Sequence, residues 1–350
     1  MFTGSRRGFR LGVVLAAVFF IPTLVILTSC GSDPTGGLTA KSPEATNELF
    51  NGVPDKQNHP YVGTAIYTSL NAPGWHQGCT LTLVAPKIAV GVAHCWWGVD
   101  PNNLPEGLIM AITFDPVAIR NPDAAGFGEL VARHLIPYPS YTWVIDPLFD
   151  MNNWPSDEVF GHDVALVYFK ENVWLDEYAV LPPKGLVEAL FTAGYLDGKQ
   201  FEYVGYGANI DPTDYLAIGN LFGTGTRRRG LADFNDLWAG TLFTLADLTK
   251  GEVFCEGGDS GAPALFPSTN LMAGLISSAY YDTTWDVLFN LGARLDGDMA
   301  QGFLSQHVPI PNTIEMCHNG RQSISVPVSG VVAHANHGDT IGKCSSCDGK

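Results

Sequence analysis

Three short segments that lie far apart in the chain carry the groups of a nucleophilic catalytic device, and any fold must bring them together. Residues 258–263, Gly-Asp-Ser-Gly-Ala-Pro, place Ser260 between glycines. His94 follows one apolar run, and Asp163 precedes another. A serine hydroxyl is a weak nucleophile unless a base takes its proton and a third group orients that base. The sequence therefore predicts Ser260 as nucleophile, His94 as general base and Asp163 as the orienting carboxylate.

The motif around Ser260, the Ala-His-Cys sequence at residues 93–95 and the chain order His, Asp, Ser resemble the chymotrypsin/trypsin family of serine proteases. Residues 137–141 and 204–207 resemble shorter segments of the same family. The resemblance covers roughly residues 49–308. It implies an all-β fold of two six-stranded antiparallel barrels, with the active site in the cleft between them and a short C-terminal helix.

Short apolar runs separated by Gly, Pro, Asn and Asp favour the same all-β class, because they lack the strand and helix alternation of a parallel sheet. We expect strands at residues 81–84, 88–92, 129–136, 164–169, 201–206 and 271–276, and a helix within residues 296–308. Residues 142–161 form a longer segment than in compact family members. We interpret them as a surface insertion beside the cleft.

The amino terminus predicts export. Three arginines within the first ten residues precede an apolar stretch at residues 11–27, and Leu-Thr-Ser-Cys at residues 27–30 resembles a bacterial lipobox. The resemblance implies a signal peptide over residues 1–29 and a lipid on Cys30 that tethers the mature protein to a membrane. Plain secretion is the first alternative. An uncleaved anchor helix is the second, and it fits less well because the apolar stretch is short and contains proline.

Composition and the family resemblance together divide the rest of the chain into three parts. Residues 30–48 are small and polar and are typical of a flexible spacer. Residues 49–308 form the protease-like domain. Residues 309–350 form a tail that contains cysteine and histidine and that the resemblance does not explain.

The charge of the chain is strongly acidic. It has 35 acidic and 19 basic residues and a net charge of −16, which becomes −19 when residues 1–29 and their three arginines are removed. Such a field repels nucleic acid, so we expect no nucleic-acid partner. The charge either attracts cationic substrates or keeps an exported domain in solution, and we favour the second interpretation.

Seven cysteines fit an oxidising compartment, because a lipidated Cys30 leaves six, an even number. The resemblance implies that Cys79 and Cys95 form the disulfide that braces the histidine loop. Four cysteines remain, and their three possible pairings stay open: Cys255, Cys317, Cys344 and Cys347. Cys255 pairs with a tail cysteine or stays unpaired.

The tail also contains a possible metal-binding pattern. His334-x-x-His337 followed by Cys344-x-x-Cys347 matches the spacing of a four-ligand zinc site. Cysteines of exported proteins are more often oxidised to disulfides than bound to zinc. We therefore expect neither a metal nor a cofactor.

The glycines around the serine also serve the predicted chemistry. Acyl transfer develops negative charge on the substrate carbonyl oxygen, and backbone amides approach that oxygen most closely where side chains are absent. We expect the amides of Gly258 and Ser260 to form the oxyanion hole.

Substrate choice depends on the residues before and after the serine. The resemblance implies that Val253 or Phe254 forms the floor of the primary pocket, depending on where one extra residue before the serine is placed. Ser277-Ser278-Ala279 resembles the pocket wall, with alanine in place of a glycine. These residues favour a small or medium apolar substrate side chain. Either Glu252 or Glu256 would favour a basic one if it turned inward.

The resemblance also implies an activation step. In the family a freshly cut amino terminus pairs with the aspartate before the nucleophile, here Asp259, and Leu-Phe-Asn-Gly at residues 49–52 resembles that terminus imperfectly. A cut after Glu48 would produce it and would separate the domain from a lipid on Cys30. The alternatives are an enzyme that is active uncut, or an Asp259 that accepts only local backbone hydrogen bonds.

These features predict an exported, lipid-anchored or secreted serine endopeptidase whose partners are peptide substrates and, through Cys30, a membrane. A catalytically silent binding lipoprotein on the same scaffold is the alternative, since fold alone never establishes activity. An esterase that uses the same three residues is a third possibility.

Overall fold

The computed structural model describes residues 49–70, 72–120, 128–208, 225–282 and 287–344. The expected signal peptide and spacer, the lipidation site Cys30, the cut after Glu48 and the cysteine Cys347 lie outside the described residues. Within the described ranges, no helix is long and apolar enough to cross a membrane.

The described residues form mainly strands, with four short α-helices between and after them. The strands are, in chain order, β1 (Val53–Pro54), β2 (Val62–Ser69), β3 (Ala72–Ala85), β4 (Ile88–Gly91), β5 (Ile109–Thr113), β6 (Ile119–Arg120), β7 (Glu129–Leu130), β8 (Leu135–Pro137), β9 (Tyr141–Ile145), β10 (Ala165–Phe169), β11 (Gln200–Gly205), β12 (Arg228–Leu237), β13 (Thr241–Ala246), β14 (Pro263–Leu265), β15 (Met272–Asp282), β16 (Val287–Arg294), β17 (Thr313–His318), β18 (Gln322–Pro327) and β19 (Thr340–Ile341). The helices are α1 (Asp157–His162), α2 (Leu186–Thr192), α3 (Asp298–His307) and α4 (Val328–Asn336).

The first half of the chain forms an antiparallel sheet of seven strands in the order β8-β5-β2-β3-β4-β10-β9. Among the described residues no pairing joins its edge strands β8 and β9, so this sheet is a half-barrel and not the closed barrel that the resemblance implies. The single strand expected over residues 129–136 is also split. The reason is that the amides of Arg133 and His134 turn away and donate to Asp115 Oδ2, at 2.6 and 3.3 Å.

The second half of the chain forms a closed barrel of six antiparallel strands, β11 to β16. Closure follows because β13 pairs with both β12 and β16, while β1 adds a seventh strand against β12. Large side chains fill this barrel, and Phe201, Tyr203 and Leu242 have at most 1% of their surface exposed. The all-β, chymotrypsin-like two-barrel architecture is therefore confirmed, with the first barrel open.

The expected C-terminal helix is also confirmed. Helix α3 lies within the predicted residues 296–308 and buries Ala300, Phe303 and Leu304 on one face. That face packs into the same apolar cluster as β4 and β10 of the first sheet. The helix therefore joins the end of the second barrel to the first.

The tail folds onto the second barrel. Strands β17, β18 and β19 form a small sheet in the order β18-β17-β19, and a disulfide joins Cys317 in β17 to Cys344. Helix α4 packs on helix α2. The buried apolar residues of the tail lie in one cluster with the core of the second barrel: Ile314, Met316, Val326, Val331 and Ala335. The tail thus extends that core.

A fully buried arginine connects the two barrels. Arg227, directly before β12, has 0% of its surface exposed, and its Nε lies 2.8 Å from Asp55 Oδ2. Its Nη1 donates to the carbonyls of Val62 in β2 and Phe114 at 2.8 and 3.1 Å, and its Nη2 donates to the carbonyl of Lys56 at 2.7 Å. One guanidinium therefore holds strands of both barrels together.

Candidate active site

His94 and Asp163 meet at the end of the first sheet. His94 lies in a single 3₁₀ turn directly after β4, and Asp163 directly follows helix α1. The Nδ1 of His94 lies 2.7 Å from Asp163 Oδ2, and the His94 backbone amide donates to Oδ1 at 2.8 Å. The Asp163 side chain is fully buried, whereas 17% of the His94 side chain is exposed. The carboxylate favours the proton on Nδ1, which leaves Nε2 to accept another.

A β-bulge brings a third group to this pair. The pairing of β15 with β16 shifts between Ile276 and Ser278, so that Ser277 is an extra residue. Bulges re-aim side chains, and the hydroxyl of Ser277 donates to Asp163 Oδ2 at 2.6 Å. The sequence predicted Ser277 only as part of the pocket wall. Its contact with Asp163 requires the bulge, which no sequence pattern indicated.

Hydrogen bonds to the first sheet position Ser260 near His94. The Ser260 carbonyl accepts from the amide of Thr80 in β3 at 2.9 Å. Thr80 follows Cys79, whose disulfide partner is Cys95, the residue after His94, with an S–S distance of 2.00 Å. The disulfide is the one that the resemblance implies. It connects the strand that holds Ser260 to the turn that holds His94.

Hydrogen bonds to the second barrel fix the other side of Ser260. The amide of Gly261 donates to the carbonyl of Ile276 at 2.7 Å, one residue before Ser277. A Cβ on Gly261 would lie 2.1 Å from the carbonyl oxygen of Thr80, so that only glycine permits this approach. The structure therefore brings His94, Asp163 and the Ser260 segment to one place, at the junction of the two barrels.

The Ser260 hydroxyl itself makes no hydrogen bond to any described residue, including His94. Hydrogen bonds between a nucleophile and its base are often long in the absence of substrate and shorten when substrate binds. Ser260 is half-buried, and it lines a cavity that opens to solvent.

The backbone amides of Gly258 and Ser260, next to this hydroxyl, are those expected to form the oxyanion hole. The carbonyl of Gly257 accepts from the Ala208 amide, and the carbonyl of Asp259 accepts from the Ala262 amide, each at 2.7 Å. In a trans peptide the N–H points opposite to the carbonyl. The amides of Gly258 and Ser260 are thereby turned away from those partners, and neither donates a hydrogen bond within the described part of the chain. Gly258 adopts φ +98°, a conformation that favours glycine.

Asp259, the expected activation partner, is fully buried. Its Oδ1 accepts from the amide of Gly207 at 2.7 Å, and its Oδ2 accepts from the amide of Glu256 at 3.0 Å. The bond from Glu256 is local, whereas the bond from Gly207 joins residues 52 positions apart. They hold the loop that carries the amide of Gly258 in place.

A cavity of about 370 Å³ adjoins Ser260 and contains most of the predicted pocket residues. Phe254, Ser277, Ser278 and Ala279 line it. Val253, the alternative for the pocket floor, does not. It is fully buried in the core of the second barrel, where its Cγ1 would lie 2.0 Å from a Cβ on Gly230. The direction in which each side chain points therefore identifies Phe254 as the residue that lines the pocket.

The two glutamates before the serine point in different directions. Glu252 faces away from the cavity, where its carboxylate accepts from the amide of Asp247 at 2.8 Å and from the side chain of Gln200 at 3.3 Å. Glu256 lines the cavity and is buried. Of the two acids that could favour a basic substrate, only Glu256 is therefore positioned to do so.

The segment expected as an insertion forms one wall beside His94. Trp154 lies edge-on to the His94 ring, with centroids 5.3 Å apart, and Phe149 contacts both Trp154 and the exposed Trp97. Helix α1 ends the segment, and its Asp157 Oδ1 accepts from the amide of Gly240 in the second barrel at 3.0 Å. The sequence predicted the segment but not the contact of Trp154 with His94.

A second aspartate and histidine pair lies outside the site. His162 Nδ1 lies 2.8 Å from Asp146 Oδ2, and both side chains are largely buried. This pair resembles that of His94 and Asp163 in geometry, but neither residue lines the cavity next to Ser260. It therefore offers a matched control for substitutions in the site.

Cys255 is a free and fully buried thiol in the wall of the cavity. Burial raises the pKa of this thiol well above its ordinary value, and the nearby charges of Asp259 and Glu256 raise it further. The thiol is therefore protonated at neutral pH and a poor nucleophile.

Comparison with known proteins finds similarity only among solved structures. No family model matches the chain, and no curated protein matches it. The chain is similar to HL collagenase, with 16% identity and a TM-score of 0.49 over 75% of this chain and 100% of that one. It is also similar to the scabies mite inactivated protease paralogue S-I1, with 13% identity and a TM-score of 0.45 over 73% of this chain and 98% of that one. Similarities of this size carry no argument about activity, so the function is inferred from the site.

Proposed function

We propose that the protein is a serine endopeptidase that cleaves peptide bonds through Ser260, His94 and Asp163. The observation that carries the proposal is the hydrogen-bonded His94 and Asp163 pair, which Ser277 connects to the cavity that Ser260 lines. Two backbone amides of the Ser260 segment donate no hydrogen bond within the described residues. A base, its orienting carboxylate, a nucleophile and an oxyanion site are the parts that acyl transfer requires.

In the proposed reaction, Nε2 of His94 takes the Ser260 proton as the serine oxygen bonds to the substrate carbonyl carbon. The amides of Gly258 and Ser260 bind the oxygen on which negative charge develops, and each such donor contributes on the order of 10²- to 10³-fold in rate. Asp163 stabilises the imidazolium, which then protonates the leaving amine. The bond to the amine breaks as the amine takes this proton, which leaves the acyl group on Ser260. His94 then takes a proton from water as the water oxygen bonds to the acyl carbon, and it returns that proton to the Ser260 oxygen as the ester bond breaks.

Labelling with a fluorophosphonate tests the proposal, because the reagent reacts with a serine only when a base and an oxyanion site activate it. We expect the mature protein to gain one adduct per chain, and Ser260→Ala to gain none. Ser305→Ala is the matched control, since Ser305 is exposed on α3 and its hydroxyl donates only to the Gln301 carbonyl. This variant should label like the wild type.

Failure of the wild type to label would favour the catalytically silent binding protein. The observation that supports this alternative is that the Ser260 hydroxyl makes no hydrogen bond to His94. Parallel assays on peptide and ester panels separate the peptidase from the esterase. Hydrolysis of esters alone would contradict the endopeptidase.

We also propose that the mature protein is exported and tethered through a lipid on Cys30. The disulfides between Cys79 and Cys95 and between Cys317 and Cys344 support an oxidising compartment. The intact mass of the labelled native protein, together with amino-terminal sequencing, reports both the lipid and any cut before Leu49. A chain that begins upstream of Cys30 would contradict the tether.

For the substrate, we propose a small or medium apolar side chain on the amino side of the cleaved bond. Phe254, Ile276 and Ala279 give the cavity an apolar lining. We expect the Ala279 methyl to narrow the cavity, because the chymotrypsin/trypsin family usually has glycine at this position. The ring of Trp154 and the exposed Trp97 add apolar surface near His94, outside this cavity.

A panel of peptides that differ only at this position tests the preference. We expect kcat/KM to be highest for Ala, Val or Leu, and about tenfold or more lower for Arg and Lys, because a charged side chain loses its hydration in an apolar pocket. Ala279→Gly should raise kcat/KM for Phe relative to Val by about tenfold.

Two glutamate variants decide the alternative preference. If Arg or Lys proves to be the best substrate, and Glu256→Gln abolishes that preference while Glu252→Gln does not, the apolar proposal is wrong. The two residues are suitable controls for each other because both are buried and only Glu256 lines the cavity.

A further inference from the structure

Three histidines and one aspartate of the tail converge on one point, far in the sequence from the proposed catalytic residues. Asp339 Oδ2 lies 2.7 Å from His318 Nδ1, 2.7 Å from His334 Nδ1 and 3.3 Å from His337 Nε2. The four ligand atoms all lie within 4.8 Å of one another. We refer to these four residues as the His₃Asp cluster.

The fold of the tail holds the cluster in place from three directions. His318 ends β17, next to Cys317, which the disulfide to Cys344 fixes. His334 lies in the last turn of α4 and His337 caps that helix, so that their spacing of three places both on one side. The chain then turns and β19 pairs with β17, which brings Asp339 between the imidazoles.

Hydrogen bonds outside the cluster direct the ligand atoms inward. Asp339 Oδ1 accepts from the amide of Asn319 at 2.9 Å, which leaves Oδ2 facing the three rings. The side-chain amide of Asn319 lies 2.8 Å from His318 Nε2, so that Nδ1 of that ring points into the cluster. Metal-binding histidines usually have such a partner on the second ring nitrogen.

The donor set and its spacing fit a transition metal. Bonds of about 2.0–2.1 Å at tetrahedral angles separate the ligand atoms by about 3.3 Å. The two contacts of 2.7 Å must therefore lengthen by about half an ångström, and any ring nitrogens farther apart than 3.3 Å, within the 4.8 Å limit of the cluster, must approach one another. Three imidazoles with one carboxylate suit zinc and its neighbours in the first transition series, whereas calcium and magnesium prefer oxygen ligands. Asp339 Oδ2 is the common partner of three imidazole nitrogens, more than one carboxylate oxygen binds well. A cation placed between this oxygen and the three nitrogens replaces these direct contacts with metal–ligand bonds.

We propose that the His₃Asp cluster binds one divalent transition-metal ion, and Zn²⁺ is the ion that fits best. The side chains of His318, His334 and His337 are 34%, 28% and 53% exposed, so the ion has a path from solvent. The metal joins β17, α4 and the turn before β19, and it thereby holds these elements of the tail to one another.

This site differs from the zinc pattern read from the sequence. That pattern combined His334 and His337 with Cys344 and Cys347, but Cys344 forms a disulfide with Cys317. His318 and Asp339 take the place of the two cysteines. Oxidation of the cysteines therefore helps to build this site and does not compete with it.

Metal binding is tested on the mature, disulfide-bonded protein after dialysis against a chelator, with Zn²⁺ alone and Co²⁺ alone as probes. We expect one ion per chain, visible absorption of Co²⁺ with the intensity of a four-coordinate complex, and a Tm that falls when the chelator removes the metal. His334→Gln and Asp339→Asn should weaken binding by on the order of 100-fold and remove the chelator effect.

Two controls isolate the cluster. His134→Gln changes an exposed histidine outside it, and His94→Gln removes the histidine of the proposed active site, so both should bind one ion like the wild type. His337→Gln, at the most exposed ligand, keeps the test usable if a more buried variant does not fold. Failure of the wild type to bind Zn²⁺ at micromolar concentration, or equal binding by the wild type and His337→Gln, would overturn the proposal.

Discussion

Asp163→Asn is expected to lower kcat by about 10⁴-fold without unfolding the protein. The reason is the hydrogen bond from the His94 backbone amide, which requires an oxygen at the Oδ1 position. The amide nitrogen of the new side chain must then occupy the Oδ2 position, where it donates to His94 Nδ1. Nδ1 becomes the acceptor, Nε2 carries the proton, and His94 can no longer take the proton from Ser260. Steady-state kinetics on the best peptide substrate give the value.

Asp146→Asn is the matched control for this experiment. It alters an aspartate and histidine pair of nearly the same distance and burial, but one that does not line the cavity beside Ser260. Both variants should lose similar stability, whereas only Asp163→Asn should lose activity by orders of magnitude. Equal losses of kcat in the two variants would mean that Asp163 acts on the fold and not on His94.

Asp55→Asn is expected to lower the free energy of unfolding by about 3–5 kcal/mol. The carboxylate is fully buried and contacts Arg227 Nε at 2.8 Å and His59 Nδ1 at 2.6 Å. Removing its charge leaves the Arg227 guanidinium buried without a counterion between the two barrels. Denaturant unfolding at pH 7, followed by fluorescence and circular dichroism, measures the loss.

Asp298→Asn is the control because it removes an ion pair of similar length that is exposed. Asp298 Oδ1 lies 2.7 Å from Lys184 Nζ, and their side chains are 85% and 66% exposed. Solvent screens such a pair, so the unfolding midpoint should not change measurably. A comparable loss of stability in both variants would contradict the role assigned to the buried network.

The effect of Asp55 also depends on pH in a defined direction. Burial opposes its ionisation, but the hydrogen bond and charge of His59 and the charge of Arg227 outweigh burial and hold the pKa of Asp55 below 3.8. A carboxyl with a lowered pKa contributes stability that is complete above its unfolded pKa and is lost as the pH falls through its folded value. The difference in stability between wild type and Asp55→Asn should therefore narrow below about pH 4.

Much of the fold could be predicted because its signals are local. Short apolar runs between turn residues indicated the all-β class, and the spacing of Met299, Phe303 and Leu304 indicated helix α3. Closure of the barrels could not be predicted, because it depends on pairing between distant strands. The turn of Arg133 and His134 to Asp115 is a side-chain contact that leaves no periodic pattern.

The candidate site divides in the same way. Residue type and chain order indicated His94, Asp163 and Ser260, but the contact of Ser277 with Asp163 arises from a bulge that shifts the strand register by one residue. Val253 and Phe254 were indistinguishable in the sequence because neither lies in a regular strand, and no periodic pattern indicates which side chain faces the cavity. In the tail, His318 lies too far from His334 for a spacing motif to connect them.

The first described residues are part of the same unit as the cavity. Phe50 pairs with Phe254, Asn51 Nδ2 donates to the carbonyls of Leu248 and Glu252 at 3.2 Å each, and Leu49 is fully buried in the cluster that contains Cys255. Leu49 and the cavity wall therefore pack in one cluster. Any ligand that binds the cavity more tightly when Leu49 is in this position must stabilise that position in turn, because linkage is reciprocal.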